Sequence, residues 1–195
     1  MPRGPASPLF LVFLGLAMAE MGLLAMWSKR YFMLGLPIFV RRITIKRSER
    51  RLLANLPLQY LQDTTRRTFW ADLAYRPLTR TTWAFREAFH FERRAGYYPV
   101  MRGVIEIDRR HGEIRVIGRA AWHAVFITCV CLAATVKLGH AGPIALFLFL
   151  IGGSYLIQRW RFGHAVEALQ VLVDQALADG NPGVVHPVPE AMRLR

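Results

Sequence analysis

The chain has 195 residues, 53% of them hydrophobic, with 26 Lys+Arg against 13 Asp+Glu and an isoelectric point near 11.0. A mean hydropathy of +0.23 beside 20% charged residues excludes an even mixture of the two kinds, so the apolar residues must be segregated along a chain with room for about one domain plus membrane spans. The only two cysteines, Cys129 and Cys131, point to different faces of a helix at i, i+2 spacing, which excludes a disulfide between them and reads as two small inert hydrophobes.

The first apolar run extends from Pro8 to Trp27, with Glu20 as its only charge. About 20 apolar residues suffice to cross a bilayer core as a helix. Arg3, the apolar core and the triplet Ala17, Met18, Ala19 raise the alternative of a cleavable secretory signal. The run continues past that triplet to Trp27, and the segment behind it is strongly basic. The expectation is therefore an uncleaved N-terminal anchor over residues 1–28.

Residues 29–119 carry 20 Lys+Arg against 8 Asp+Glu, which is +12 of the net +13. Ile38 to Lys46 reads as a strand through Phe39, Ile43 and Ile45, and Ser48 to Leu61 as a short helix with Leu52, Leu53 and Leu56 on one face before Pro57. The stretch Arg41, Arg42, Lys46, Arg47, Arg50, Arg51 is the densest in charge. Basic residues near an anionic leaflet attract it by about 1 kcal/mol each. Asp63, Thr64, Thr65, Arg66 and Arg67 read as a loop, and Arg67 to Tyr75 as a weak strand.

From Trp83 to Glu92 the aromatic residues Trp83, Phe85, Phe89 and Phe91 alternate with polar ones, the pattern of a half-buried antiparallel strand. Val100 to Asp108 and Glu113 to Gly118 form a hairpin across Arg109, Arg110, His111 and Gly112, whose glycine supplies the positive φ of the turn. The block is thus a small antiparallel-sheet domain with one helix.

Two further apolar runs, Ala120 to Val136 and Ala141 to Ile157, contain no formal charge and are joined so closely that they read as a helical hairpin over residues 120–158. Lys29, Arg30, Arg119, Arg159 and Arg161, with Trp27, Trp122 and Trp160, mark one end of all three runs. Under the positive-inside rule that end faces the cytoplasm. His164 to Ala178 has Val166, Leu169, Val173 and Leu177 on one stripe, an amphipathic helix within residues 159–180, and 181–195 reads as a flexible tail.

The expected fold is an α+β integral membrane protein with three transmembrane helices, an N-terminal anchor plus a C-terminal helical hairpin, around a cytoplasmic insert. The expected location is a bacterial inner membrane, multi-pass, with the N-terminus outside and the C-terminus in the cytoplasm.

No phosphate loop, dinucleotide fingerprint, nucleophile elbow, H-E-x-x-H or C-x-x-C motif occurs, and the histidines are scattered singly. No catalytic, cofactor or metal residues are assigned. Glu20 stands out, because a carboxylate in apolar surroundings must be protonated or paired; its depth suggests Thr128, Gly152, Gly153 and Ser154 as neighbours, with Ser154 as hydrogen-bond partner. The expected function is that of a non-enzymatic accessory or assembly protein. Arg41, Arg42, Lys46, Arg47, Arg50, Arg51, Arg109 and Arg110 would contact anionic membrane lipid or a protein partner or second copy, with nucleic acid disfavoured. The alternative is a membrane enzyme acting on a lipid or phosphorylated substrate through arginine clamps.

Overall fold

Alternation over residues 113–120 turns Ile114, Val116, Gly118 and Ala120 to the inside of the molecule, and the strand before it is buried along nearly its whole length. The reason is its position. In the computed structural model, which describes residues 8–46, 56, 58–61, 72–88, 99–138 and 141–178, that strand is the middle one of a five-stranded antiparallel sheet. The elements are α1 (Pro8–Ala25), α2 (Lys29–Met33), β1 (Pro37–Thr44), a 3-10 turn (Leu58–Tyr60), β2 (Leu73–Thr79), β3 (Thr82–Glu87), β4 (Met101–Asp108), β5 (Glu113–Ala120), α3 (Trp122–Leu138) and α4 (Ala141–Ala178). The strand order is β1-β5-β4-β3-β2.

Local chemistry explains the turns. Gly112 adopts φ +70°, and the Asp108 carboxylate accepts the backbone N–H groups of Arg110 (3.0 Å) and His111 (3.2 Å), closing the β4–β5 hairpin. β2 contains Pro77, which lacks a ladder donor and is tolerated because β2 lies at the sheet edge.

Helix α4 covers one face of the sheet. Phe162, Ala165, Val166, Leu169, Leu172 and Val173 recur at helical spacing and are buried against Phe39, Phe85, Ile105, Ile114 and Val116. Gly103 and Gly118 face each other in the β4–β5 register, and the Phe85 ring fills the space a Gly103 Cβ would need. At Gly118 a Cβ would stand 3.0 Å from the Phe39 Cβ and 3.2 Å from the Phe162 ring, so the two glycines let the Phe85 and Phe162 rings settle onto the strands. Phe85 and Phe162 lie 4.7 Å apart between centroids. Gln158 of α4 ties the helix to the start of β4: its Oε1 accepts Val100 N–H (2.8 Å) and Met101 N–H (2.7 Å), and its Nε2 donates to Met101 O (3.2 Å). On the opposite face, Leu24, Tyr31 and Phe32 pack over Ala84 and Val104, joined by Trp27 and Trp122.

The expectation of three membrane-spanning helices is overturned. Among the described residues no helix is long and apolar enough to cross a membrane. The physical reasons lie in where each apolar run is tied down. Glu20 anchors the last turns of α1 in the protein, and the 12 described residues before that carboxylate rise only about 18 Å against a bilayer core of about 30 Å. α3 has 17 residues, about 26 Å, and its first turn is engaged with Glu20. In α4 the apolar stretch ends at the buried Gln158 and Arg161, after which the helix belongs to the sheet. With the spans falls the multi-pass bacterial inner-membrane topology, N-terminus outside and C-terminus cytoplasmic, that was inferred from them.

Other expectations shift in detail. Residues 141–178 form one 38-residue helix where two were expected, with the glycines at 152, 153 and 163 all inside it. The strand expected from Trp83 to Glu92 is found as Thr82–Glu87, with Phe89 to Glu92 outside the described residues, and the strand expected from Arg67 to Tyr75 is found as Leu73–Thr79. Most of the helix expected from Ser48 to Leu61, and the tail 181–195, also lie outside them.

Candidate functional site

Glu20 is 1% exposed, and its surroundings account for that burial. Helix α3 opens on Ala-Ala-Trp-His, with no Ser, Thr, Asp or Asn to satisfy its first N–H groups. Glu20 does so from another helix, accepting Trp122 N–H and His123 N–H at 2.7 Å each. The His123 ring and the Tyr31 hydroxyl also donate to it. A carboxylate at a helix N-terminus meets the positive end of the helix dipole as well.

Arg102 completes the cluster. It is 1% exposed on β4, and its guanidinium donates to Tyr31 O (3.1 Å), Ala120 O (2.8 Å), Leu34 O (2.6 Å) and, at 3.4 Å, the Glu20 carboxylate. It also lies over the Tyr31 ring, 3.6 Å from the centroid. Gly35, at φ +123°, keeps this space open, since a Cβ there would stand 2.8 Å from Nη2. One side chain thus joins α2, the link to β1, β5 and α1.

These contacts set the protonation of the cluster. Burial alone would raise the Glu20 pKa, but hydrogen bonds from the His123 ring, Tyr31 and the His123 backbone outweigh it and hold the carboxyl at about 2. Burial pushes the Tyr31 phenol well up. Glu20 is therefore an ionised, fully hydrogen-bonded joint. The neighbours expected for it are elsewhere: Thr128 donates to Ala124 O (2.7 Å) within its own helix, Ser154 is buried on α4, and a Cβ on Gly152 or Gly153 would touch nothing within 4 Å.

The basic residues divide between the two ends of the sheet. At one end, called the helical end, β5 runs into α3. There Lys29, Arg30 and Arg159 are exposed, while Arg119 donates to Gly35 O (3.2 Å) and lies 3.8 Å from Glu106, and Arg161 is buried in an ion pair with Glu87. At the opposite, turn end are Lys46, Arg109 and Arg110, all exposed, because Ile45 N–H bonds Gly112 O and brings the end of β1 beside the β4–β5 turn. Arg80 joins them through the β2–β3 turn, where Thr81 O accepts Ile107 N–H. Arg41 and Arg42 are exposed along β1, between the two ends; Arg47, Arg50 and Arg51 lie outside the described residues. Beside the turn end is an open cleft of roughly 430 Å³ lined by Met33, Thr82, Glu106, Asp108, Arg109, Arg110 and Arg115 among others.

The helical end also carries exposed apolar residues: Leu11, Leu14, Met18 and Met21 on α1, Leu132 on α3, and Leu146, Phe149, Leu150 and Leu156 on α4. Cys129 is exposed on α3, and Cys131 is partly so, rather than both being buried. Among the described residues no group of three or more His, Cys, Asp or Glu could hold a metal ion.

Sequence reasoning singled out Glu20 and missed Arg102, His123 and Tyr31. A signal for Arg102 existed: it shares a strand face with Val104 in a run with apolar residues on both faces, where a lone arginine needs buried acceptors. No family model, no curated protein and no solved structure matches this chain.

Proposed function

We propose that this is a non-enzymatic accessory protein that docks on an anionic lipid surface, its apolar helical end entering the acyl region without any helix crossing it and its sheet domain held outside. The observation that carries the reading is the distribution of exposed apolar side chains. Leu11, Val12, Leu14, Met18 and Met21 spread over about half of the α1 circumference at 100° per residue, and Leu146, Phe147, Phe149, Leu150 and Leu156 do the same on α4. A partner groove covers one stripe of a helix, whereas fluid hydrocarbon covers a broad surface. Exposed Lys29, Arg30 and Arg159, with the half-exposed Trp160, sit where such helices meet the sheet, as headgroup contacts would require.

Against an enzymatic reading, both oxygens of the buried Glu20 carboxylate are engaged by structural donors, and Glu20, held at about 2, is a poor proton donor near neutrality.

Flotation with phosphatidylcholine vesicles, with and without phosphatidylglycerol, tests the proposal. The protein is expected to float with both and more completely with the anionic set. Leu14→Glu with Phe149→Glu should abolish flotation while the circular dichroism spectrum is kept. Unchanged flotation of that variant would sink the reading, as would a stable lipid-free oligomer that buries the same residues.

A further inference from the structure

The turn end of the sheet has no part in lipid docking of the helical end. β5 has 8 residues and separates the two ends by about 26 Å, about three times the screening length of about 8 Å at physiological ionic strength. Yet Lys46, Arg80, Arg109 and Arg110 converge there from three separate stretches of chain. We propose that this end is a docking surface for an acidic segment of a partner protein.

Three features favour that occupant. The hairpin presenting Arg109 and Arg110 is pre-shaped, because Asp108 accepts two backbone N–H groups of the turn and Gly112 takes the positive φ, so little ordering accompanies binding. The adjacent cleft of roughly 430 Å³ mixes Arg109, Arg110 and Arg115 with the carboxylates Glu106 and Asp108. A peptide meets both signs, with side-chain carboxylates for the guanidinium groups and main-chain N–H groups for acceptors such as Glu106. A phosphate backbone offers acceptors only and so has no donor for those carboxylates. Among the described residues the cleft has no aromatic lining residue, so these residues offer bases no stacking platform.

The test uses the full chain in phosphatidylcholine vesicles and a fluorescent hexaglutamate peptide, followed by anisotropy. Saturable binding is expected, weakening at least tenfold between 50 and 300 mM salt, and weakened at least tenfold by Arg109→Glu with Arg110→Glu. The milder pair Arg109→Ala with Arg110→Ala should weaken it several-fold with an unchanged circular dichroism spectrum. Labelled hexathymidylate should bind at least tenfold more weakly than the peptide. The proposal is overturned if the charge-reversed variant binds within twofold of the original, or if the oligonucleotide binds as tightly as the peptide. Flotation on phosphatidylglycerol vesicles is run on the same variants. If Arg109→Glu with Arg110→Glu abolishes flotation, the turn end belongs to lipid and the acidic-peptide proposal falls; if the unaltered chain binds peptide but does not float, the lipid reading alone falls.

Discussion

The Glu20 carboxylate accepts both the backbone and the ring N–H of His123, a residue 103 positions later in the chain. Through that contact α1 caps α3, and Arg102 extends the joint to β4 and β5. Removing one member of such a buried set leaves charges and N–H groups without compensation, so Glu20→Ala should destabilise the fold by about 3 to 5 kcal/mol. Glu20→Gln, which keeps one carbonyl oxygen, should lose less. Urea unfolding monitored by tryptophan fluorescence measures both, and a loss below about 1 kcal/mol for Glu20→Ala would contradict the joint.

Acid should act through the same group. The Glu20 pKa is lowered from its ordinary 4.5 to about 2 in the folded chain. A lowered folded value means that the stabilisation is complete above the unfolded pKa and is lost as pH falls through the folded one. Stability should therefore decline between about pH 4.5 and 2. Glu20→Gln should flatten that part of the profile, measured as unfolding midpoints at successive pH values.

Gly103→Ala places a methyl group into the Phe85 ring, on a central strand with no slack. Overpacking of this kind costs about 1 to 3 kcal/mol. Phe85→Leu made alone opens space, but in combination with Gly103→Ala it should recover part of the loss. A double-mutant cycle that gives additive effects would show that the ring does not occupy the glycine's place.

Gln158→Leu removes both halves of a contact that satisfies Val100 and Met101. Two buried N–H groups left unsatisfied cost about 1 to 3 kcal/mol each. Hydrogen exchange should show the Val100 and Met101 amides losing protection first.

Much of the sheet was legible because its signals are local. Alternation from Glu113 to Gly118, a polar link ending in Gly112 and the aromatic spacing at Trp83 and Phe85 each depend on neighbours a few residues away. β2 was harder, since Pro77 masks a strand that only an edge position permits. The helices misled for a physical reason. Apolar length can be counted in a sequence, but whether the ends of a run are free depends on tertiary partners, and Glu20, Trp122 and Gln158 all find theirs in distant segments. The same holds for Arg119 and Arg161, which as sequence mark a boundary and in the structure lie beside Glu106 and Glu87. Glu20 was recognisable as a paired carboxylate; that its partner is a helix N-terminus was not, because capping across 102 positions leaves no local pattern.

Helix α4 is continuous from Ala141 to Ala178, 38 residues and about 57 Å. Its first half bears Leu146, Phe149 and Leu150 in the open, and its second half is clamped to the sheet by Phe162 and Leu169. A rod shared by two environments cannot let them move independently. If the sheet is taken as fixed, a tilt of the protruding half must bend the rod or lever the strands; if the whole rod pivots by 10° at one end, the other end swings through about 10 Å. Mechanical displacement at the apolar end is thereby either stored as a bend in the rod or passed to the strands as leverage.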